Sequence, residues 1–353
     1  MSRPSPDQPF VTGLIKTGQG PVPQVSSRLN LADRLGNIRV RWGVGRMHYT
    51  VDPGLYALGN PGEQDPVLVT ANYKMSFDRL RQALTGRDAW ILVLDTGGIN
   101  VWCAAGKKTF GTEEVVQRIK ASSLAEIVSH RRLILPQLAG PGVAAHLVRR
   151  GSGFEVIYGP IRAADLPAFL DGGLRASPEM RVKTFTIGER TVLVPIELVS
   201  ALKWVFIILP VFFLAGGLAG DVGFWAGAWD RGLSALMGLL SAVAAGAVLT
   251  PILLPWLPGR AFFLKGLTVG LVAATLFIVL RPESFSHWQG RIEAAAWFLL
   301  IPAVSAYLAM DFTGASTYTS LSGVKKEMRR AVPLEIGAGA TGLLLWFGSL
   351  FAS

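Results

Sequence analysis

The chain has 353 residues, half of them hydrophobic and 16% charged, with 40 glycines, a net charge of +10 and a mean hydropathy of +0.40, which is too apolar for a wholly soluble protein. Its single cysteine excludes an intrachain disulfide framework, a cysteine-only zinc site and a self-contained iron–sulfur cluster, each of which needs several thiolates. Charge is unevenly spread: residues 199–353 hold ten Lys/Arg and seven Asp/Glu against 24 and 17 in residues 1–198, so a membrane domain is expected behind a more polar one.

In chain order, residues 1–40 begin with a stretch rich in Pro, Gly, Ser and Gln and are expected to form a flexible arm. No apolar run precedes Lys16, so no secretory signal is read there and the domain that follows is expected in the cytoplasm. Over residues 41–198, short apolar runs at 67–71, 90–95, 133–136, 155–158 and 191–195 have strand length and composition. Between them, residues 76–84 and 112–129 carry a helical spacing, each opening on a Ser or Thr suited to capping. This alternation predicts an α/β layer with a largely parallel sheet, whose ligands would sit at the carboxyl ends of the strands. Thr70, Asn72, Thr96, Gln137 and Tyr158 stand at those ends, where cofactor contact and turn stabilisation are both open readings.

Residues 199–353 hold five apolar runs of spanning length, at 199–219, 233–255, 261–280, 292–310 and 334–350. With the first domain inside, the inner loops carry Arg260, Lys265, Lys325, Lys326, Arg329 and Arg330 and the outer ones Arg231, Arg281 and Arg291, which predicts a cytoplasmic first domain and an exterior C-terminus. The charges Glu293, Asp311 and Glu335 fall at the ends of these runs, which favours an anchor or partner platform over a translocation path.

The stretch 91–111 carries the chemistry. It reads as a buried strand, then Gly97-Gly98, then the unique Cys103 between Trp102 and the small residues Ala104, Ala105 and Gly106, a surface that a flat object can approach closely. From the residues alone, Cys103 reads as a buried small hydrophobe, a nucleophile or a metal's axial ligand. Gly106-Lys107-Lys108-Thr109 fails as a phosphate loop because Val101 stands where the earlier glycine is needed.

The segment Asn100-Val101-Trp102-Cys103-Ala104-Ala105-Gly106-Lys107 closely resembles the signature of the mercury-methylating corrinoid proteins, and distantly the chain resembles the corrinoid-binding part of corrinoid iron–sulfur proteins. Resemblance extends to Val69-Thr70-Ala71-Asn72-Tyr73-Lys74, Leu135-Pro136-Gln137-Leu138, Gly140-Pro141-Gly142-Val143 and Tyr158-Gly159-Pro160. It implies a Rossmann-like corrinoid-binding domain over residues 41–198, followed by an all-α five-helix transmembrane domain over 199–353 in the cytoplasmic membrane. It implies Cys103 as the lower axial ligand of a cobalamin-type cobalt on a cap helix, with Thr70, Asn72, Thr96, Gly98, Asn100, Val101, Trp102, Ala104, Ala105, Gly106, Lys107, Gln137 and Tyr158 around the cofactor; packing for Trp102, and capping or a solvated charge for Asn100 and Lys107, are equally open readings. The implied activity is methyl transfer from cobalt to Hg(II), fed by a methyltetrahydrofolate-linked donor, with a two-cluster [4Fe-4S] ferredoxin as reductant and no nucleic acid involved. A methyl carrier of one-carbon metabolism, or a corrinoid-binding or transport module without methyl transfer, are the competing implications. Lys108 departs from the family pattern, where a glycine-like residue is expected.

Overall fold

A computed structural model describes residues 3–219, 223–281, 286–315 and 321–352. The chain divides into two compact units, one of residues 1–40 and 44–183 and one of residues 41–43 and 184–353, and each is described by itself.

The first unit is built on a seven-stranded sheet of β1 (Val11–Thr17), β2 (Gly20–Val25), β3 (Gly54–Leu58), β4 (Val67–Ala71), β5 (Ala89–Leu94), β6 (Arg132–Leu135) and β7 (Glu155–Tyr158), in the order β1-β2-β3-β5-β4-β6-β7. β5, β4, β6 and β7 run parallel, as expected, whereas β3 is antiparallel to β5 and β1 antiparallel to β2, so the sheet is mixed. The helices are α1 (Leu31–Arg41), α2 (Lys74–Ala83), α3 (Val101–Gly106), α4 (Thr112–Ala121), α5 (Leu124–Ile127), α6 (Ala145–Ser152) and α7 (Leu166–Asp171). All six residues of β5 are buried, because the strand is covered on both faces. Trp90, Leu92 and Leu94 pack with α3, α4, α5 and α6, while Ala89, Ile91 and Val93 pack with Phe77 and Leu80 of α2 and Leu166 and Phe169 of α7.

Two expectations are corrected here. Residues 1–40 are not a loose arm: β1 and β2 form a hairpin of the sheet, and Phe10 is buried against Tyr56 and Phe77. The composition of the segment conceals its strands, because Pro21 and Pro23 pair only with β1, while Gln24 and Val25 carry the register to β3. Helix α1 is held by a buried cluster in which Asp33 and Asp78 meet Lys74 and Arg81 at 2.6–2.9 Å, and Arg81 also donates to the carbonyls of Ser26 and Arg28. The second correction concerns residues 191–195. They lie where α8 (Ile187–Thr191) gives way to α9 (Val194–Leu218), Pro195 taking the first turn of α9, where its missing N–H costs nothing.

Capping also differs from expectation. Helix α2 starts at Lys74 with no side-chain cap. The Thr112 hydroxyl accepts the Ala144 N–H at 2.9 Å, tying α4 to the chain before α6.

The second unit consists of α8, α9, α10 (Phe224–Val243), α11 (Thr250–Leu253), α12 (Phe262–Val279), α13 (Trp288–Asp311) and α14 (Leu321–Phe351). Among the described residues five helices are long and apolar enough to cross a membrane. Between α10 and α11 the helix widens over Ala244–Leu249, where the Thr250 hydroxyl donates to the Ala245 carbonyl ahead of Pro251. Glycines bring α12 and α13 together: a Cβ on Gly266 would lie 2.7 Å from the Ser305 carbonyl, and one on Gly270 2.6 Å from Pro302 Cα. Phe212, Trp297 and Trp346 pack as an aromatic cluster beside them. Lys265 is buried and donates to the carbonyls of Leu254 and Leu257. Glu335 is buried and lies inside α14, since this helix begins at Leu321, well before the apolar run at 334–350.

Candidate functional site

The register that pairs Ala71 with Leu94 makes β4 and β5 end together, so residues 72 and 95 leave the sheet side by side. Asn72 is buried, and its side-chain oxygen accepts from the Thr96 N–H at 3.1 Å, the Thr96 hydroxyl at 2.8 Å and the Gly98 N–H at 3.0 Å. The Thr96 hydroxyl makes a second donor-acceptor alignment with the Ile99 carbonyl at 2.7 Å. Gly97 and Gly98 both take positive φ, and a Cβ on Gly98 would lie 2.8 Å from the Thr50 methyl and 3.1 Å from the Met47 carbonyl. The turn is thereby fixed from below by Asn72 and from the side by residues 47–50.

From this turn the chain enters α3. The Asn100 side chain caps it, accepting the Cys103 N–H at 3.0 Å. Trp102, Cys103, Gly106 and Lys107 are exposed, whereas Val101, Ala104 and Ala105 are buried in the core with Leu94 and Phe110. The expected role of Ala104 and Ala105 as an open surface for a flat ligand is therefore corrected. Their small side chains face inward and allow α3 to lie against the loop 140–143, where a Cβ on Gly142 would come within 2.9 Å of Ala105 Cα. That loop is held in turn by the Tyr158 hydroxyl, which donates to the Val143 carbonyl at 2.6 Å, while burial pushes the Tyr158 phenol above its ordinary pKa.

Of the residues expected around a cofactor, the structure brings Trp102, Cys103, Gly106 and Lys107 to one exposed helix face at the carboxyl edge of the parallel strands. Asn72, Thr96, Gly98, Asn100 and Tyr158 spend hydrogen bonds on positioning that helix and its neighbouring loop. Thr70 is buried within β4, and the Gln137 side-chain oxygen accepts from Arg181 at 2.7 Å. Lys108, where a glycine-like residue was expected, has φ 64°, a left-handed conformation that glycine adopts at least cost. Sequence reading missed Gly142 as the close contact under α3. For Asn100, where cofactor contact and capping are both open from the sequence, the structure shows the cap.

The donor chemistry fits a metal held in a macrocycle. Among the described residues no three His, Cys, Asp or Glu gather to hold a metal ion. A ring that supplies its own equatorial nitrogens needs only one further protein donor, and Cys103 is an exposed thiol.

Residues 44–165 match the protein family described as CO dehydrogenase/acetyl-CoA synthase delta subunit. The chain is 35% identical over 126 residues to the acetyl-CoA decarbonylase/synthase complex subunit gamma of Methanopyrus kandleri, an alignment covering 34% of this chain and 26% of that one. It is 32% identical over 123 residues to the corresponding subunit of Archaeoglobus fulgidus, with the same coverage, and 37% identical over 99 residues to that of Methanocaldococcus jannaschii, covering 27% of this chain and 20% of that one. The chain thus spans about a quarter of the length of the curated relatives it matches, and the family match falls within the α/β unit that carries α3.

Proposed function

We propose that this protein is a membrane-anchored, corrinoid-dependent methyltransferase that binds a cobalamin-type cofactor on α3, with Cys103 as the lower axial ligand of cobalt, and passes methyl groups to Hg(II). The observation that carries this reading is the placement of the only cysteine, exposed on a capped helix at the carboxyl edge of four parallel strands, in the unit that matches the CO dehydrogenase/acetyl-CoA synthase delta subunit family. When bound, the corrinoid supplies a cobalt–carbon bond.

The chain's own part is to hold one strong donor in place. The Cys103 sulfur would hold the cobalt and supply electron density to it, and the Asn100 cap fixes the backbone from which that sulfur projects. Trp102 offers an aromatic wall beside it and Lys107 a cation for the cofactor's polar periphery, both on the exposed face. Mercury(II) is an electrophile, so methyl would be given up with electron density, formally as a carbanion or a radical, whereas a methyltetrahydrofolate-linked donor would deliver methyl as a cation. Two electrons must therefore return in each cycle. One cysteine cannot hold a cluster, which calls for a separate reductant such as a two-cluster [4Fe-4S] ferredoxin.

A second reading, a methyl carrier of one-carbon metabolism, is favoured by the names of the relatives. The two are separated by loading the purified full chain with labelled methyl-corrinoid and offering Hg(II) or the acceptor sites of an acetyl-CoA synthase. Labelled methylmercury formed at the expense of bound methyl supports the first, and discharge only to the synthase overturns it.

The proposal puts the α/β unit in the cytoplasm and the C-terminus outside, a reading supported by the excess of Lys and Arg in the inner loops. Reporters fused after residue 198 and at the C-terminus should fall on opposite sides of the membrane, and the same side for both would contradict five spans.

A further inference from the structure

Helix α1 is amphipathic in the unusual sense. Its acid and its valine, Asp33 and Val40, point inward, where Asp33 is bound by Lys74 and Arg81. Its outer face carries Leu31, Leu35 and Ile38, which are 71%, 57% and 55% exposed. At 100° per residue these three lie within roughly 60° of one another, so they form one stripe along the helix. Arg34 and Arg39 are exposed and flank the stripe on opposite sides. Exposed Val44 and Met47 continue the apolar surface in the turn that follows. None of these apolar side chains belongs to a core cluster of the unit, and several large hydrophobic groups in one exposed stripe call for an occupant.

We infer that α1 lies on an anionic lipid surface, with Leu31, Leu35 and Ile38 in the headgroup–acyl boundary and Arg34 and Arg39 against lipid phosphates. An apolar stripe bordered by arginines on both sides is the pattern of an interfacial helix. The acid that would repel anionic lipid faces away and is neutralised within the domain. A bilayer is also close by along the chain, since Lys183 ends this unit and α9 begins at Val194. The inference rests on reading the apolar helices as membrane spans. It gives the protein a second, lipid-dependent attachment that holds the α/β unit down on the membrane surface, beyond the tether that the spans provide.

The test uses the full chain in lipid nanodiscs, with a nitroxide on Leu35→Cys or Ile38→Cys in a Cys103→Ser background. Accessibility to oxygen, which concentrates in acyl chains, is compared with accessibility to a water-soluble nickel chelate, and Leu147→Cys on exposed α6 serves as the solvent-facing reference. In discs containing phosphatidylglycerol, the oxygen-to-nickel ratio at positions 35 and 38 should rise severalfold above that at 147. It should fall back in pure phosphatidylcholine and in the Arg34→Glu, Arg39→Glu double variant. A ratio equal to that at 147 would overturn the inference. Exclusion of both reagents would overturn it in favour of a protein partner, and a high ratio indifferent to lipid charge would overturn the role of the arginines. Failure of the chain to enter nanodiscs at all would instead contradict the membrane spans.

Discussion

Asn100 and Cys103 are joined by one hydrogen bond, in which the Asn100 side-chain oxygen accepts the Cys103 amide at 3.0 Å. The cap of α3 therefore acts on the backbone of the residue whose side chain is its only exposed sulfur. Replacement of an N-cap of this kind by alanine costs about 1 kcal/mol.

Asn100→Ala should accordingly lower domain stability by about that amount and raise amide exchange over residues 101–106, while Asn100→Asp, which keeps the acceptor, should preserve both. Exchange in the alanine variant no faster than in the parent would show that packing alone holds α3.

Gly142→Ala tests the support beneath the helix. Its Cβ would press on the Phe110 carbonyl and lie 2.9 Å from Ala105 Cα, backbone atoms of the turn after α3 and of α3 itself, so that relief requires one of these segments or the loop to shift. Overpacking of this kind costs roughly 1–3 kcal/mol. Denaturant unfolding should show a loss in that range, and an unchanged midpoint would mean that the loop 140–143 does not bear on α3.

The buried cluster predicts an acid transition. Burial opposes ionisation of Asp33, but the hydrogen bonds and charges of Lys74 and Arg81 outweigh it and hold the carboxyl below its ordinary value of 3.8. A depressed folded-state pKa contributes stability that is present above the unfolded value and lost as pH falls through the folded one. Stability should therefore be flat in this term near neutrality and decline below about pH 4. Asp33→Asn should remove that decline and, by leaving Lys74 and Arg81 short of one buried counter-charge, cost about 3–5 kcal/mol at neutral pH. An acid limb of the same depth in the variant would assign the transition to other groups.

Much of the architecture was legible where one physical signal dominated. β4 and β5 are continuous apolar runs because both faces are covered, and five of the described helices are long and apolar enough to cross a membrane. β3 is just as apolar, yet it was missed between the glycines and prolines around it. The hairpin β1–β2 was hidden by prolines whose tolerance depends on which strand edge they occupy, a tertiary property. At the site, the unique cysteine and the Gly97-Gly98 turn were readable, but the facing of Ala104 and Ala105 was not. Small residues suit close approach on either side of a helix, and only the position of Gly142 decides that here the near neighbour is the protein itself.

The central claim is that Cys103 is the protein's donor to cobalt. Cobalt K-edge X-ray absorption on the corrinoid-loaded full chain tests it most directly. The account predicts one sulfur scatterer in the first shell of the parent in its oxidised state, absent in Cys103→Ala although the variant keeps its fold, since the side chain is exposed and small. A first shell without sulfur in the parent, or one identical in parent and variant, would contradict it.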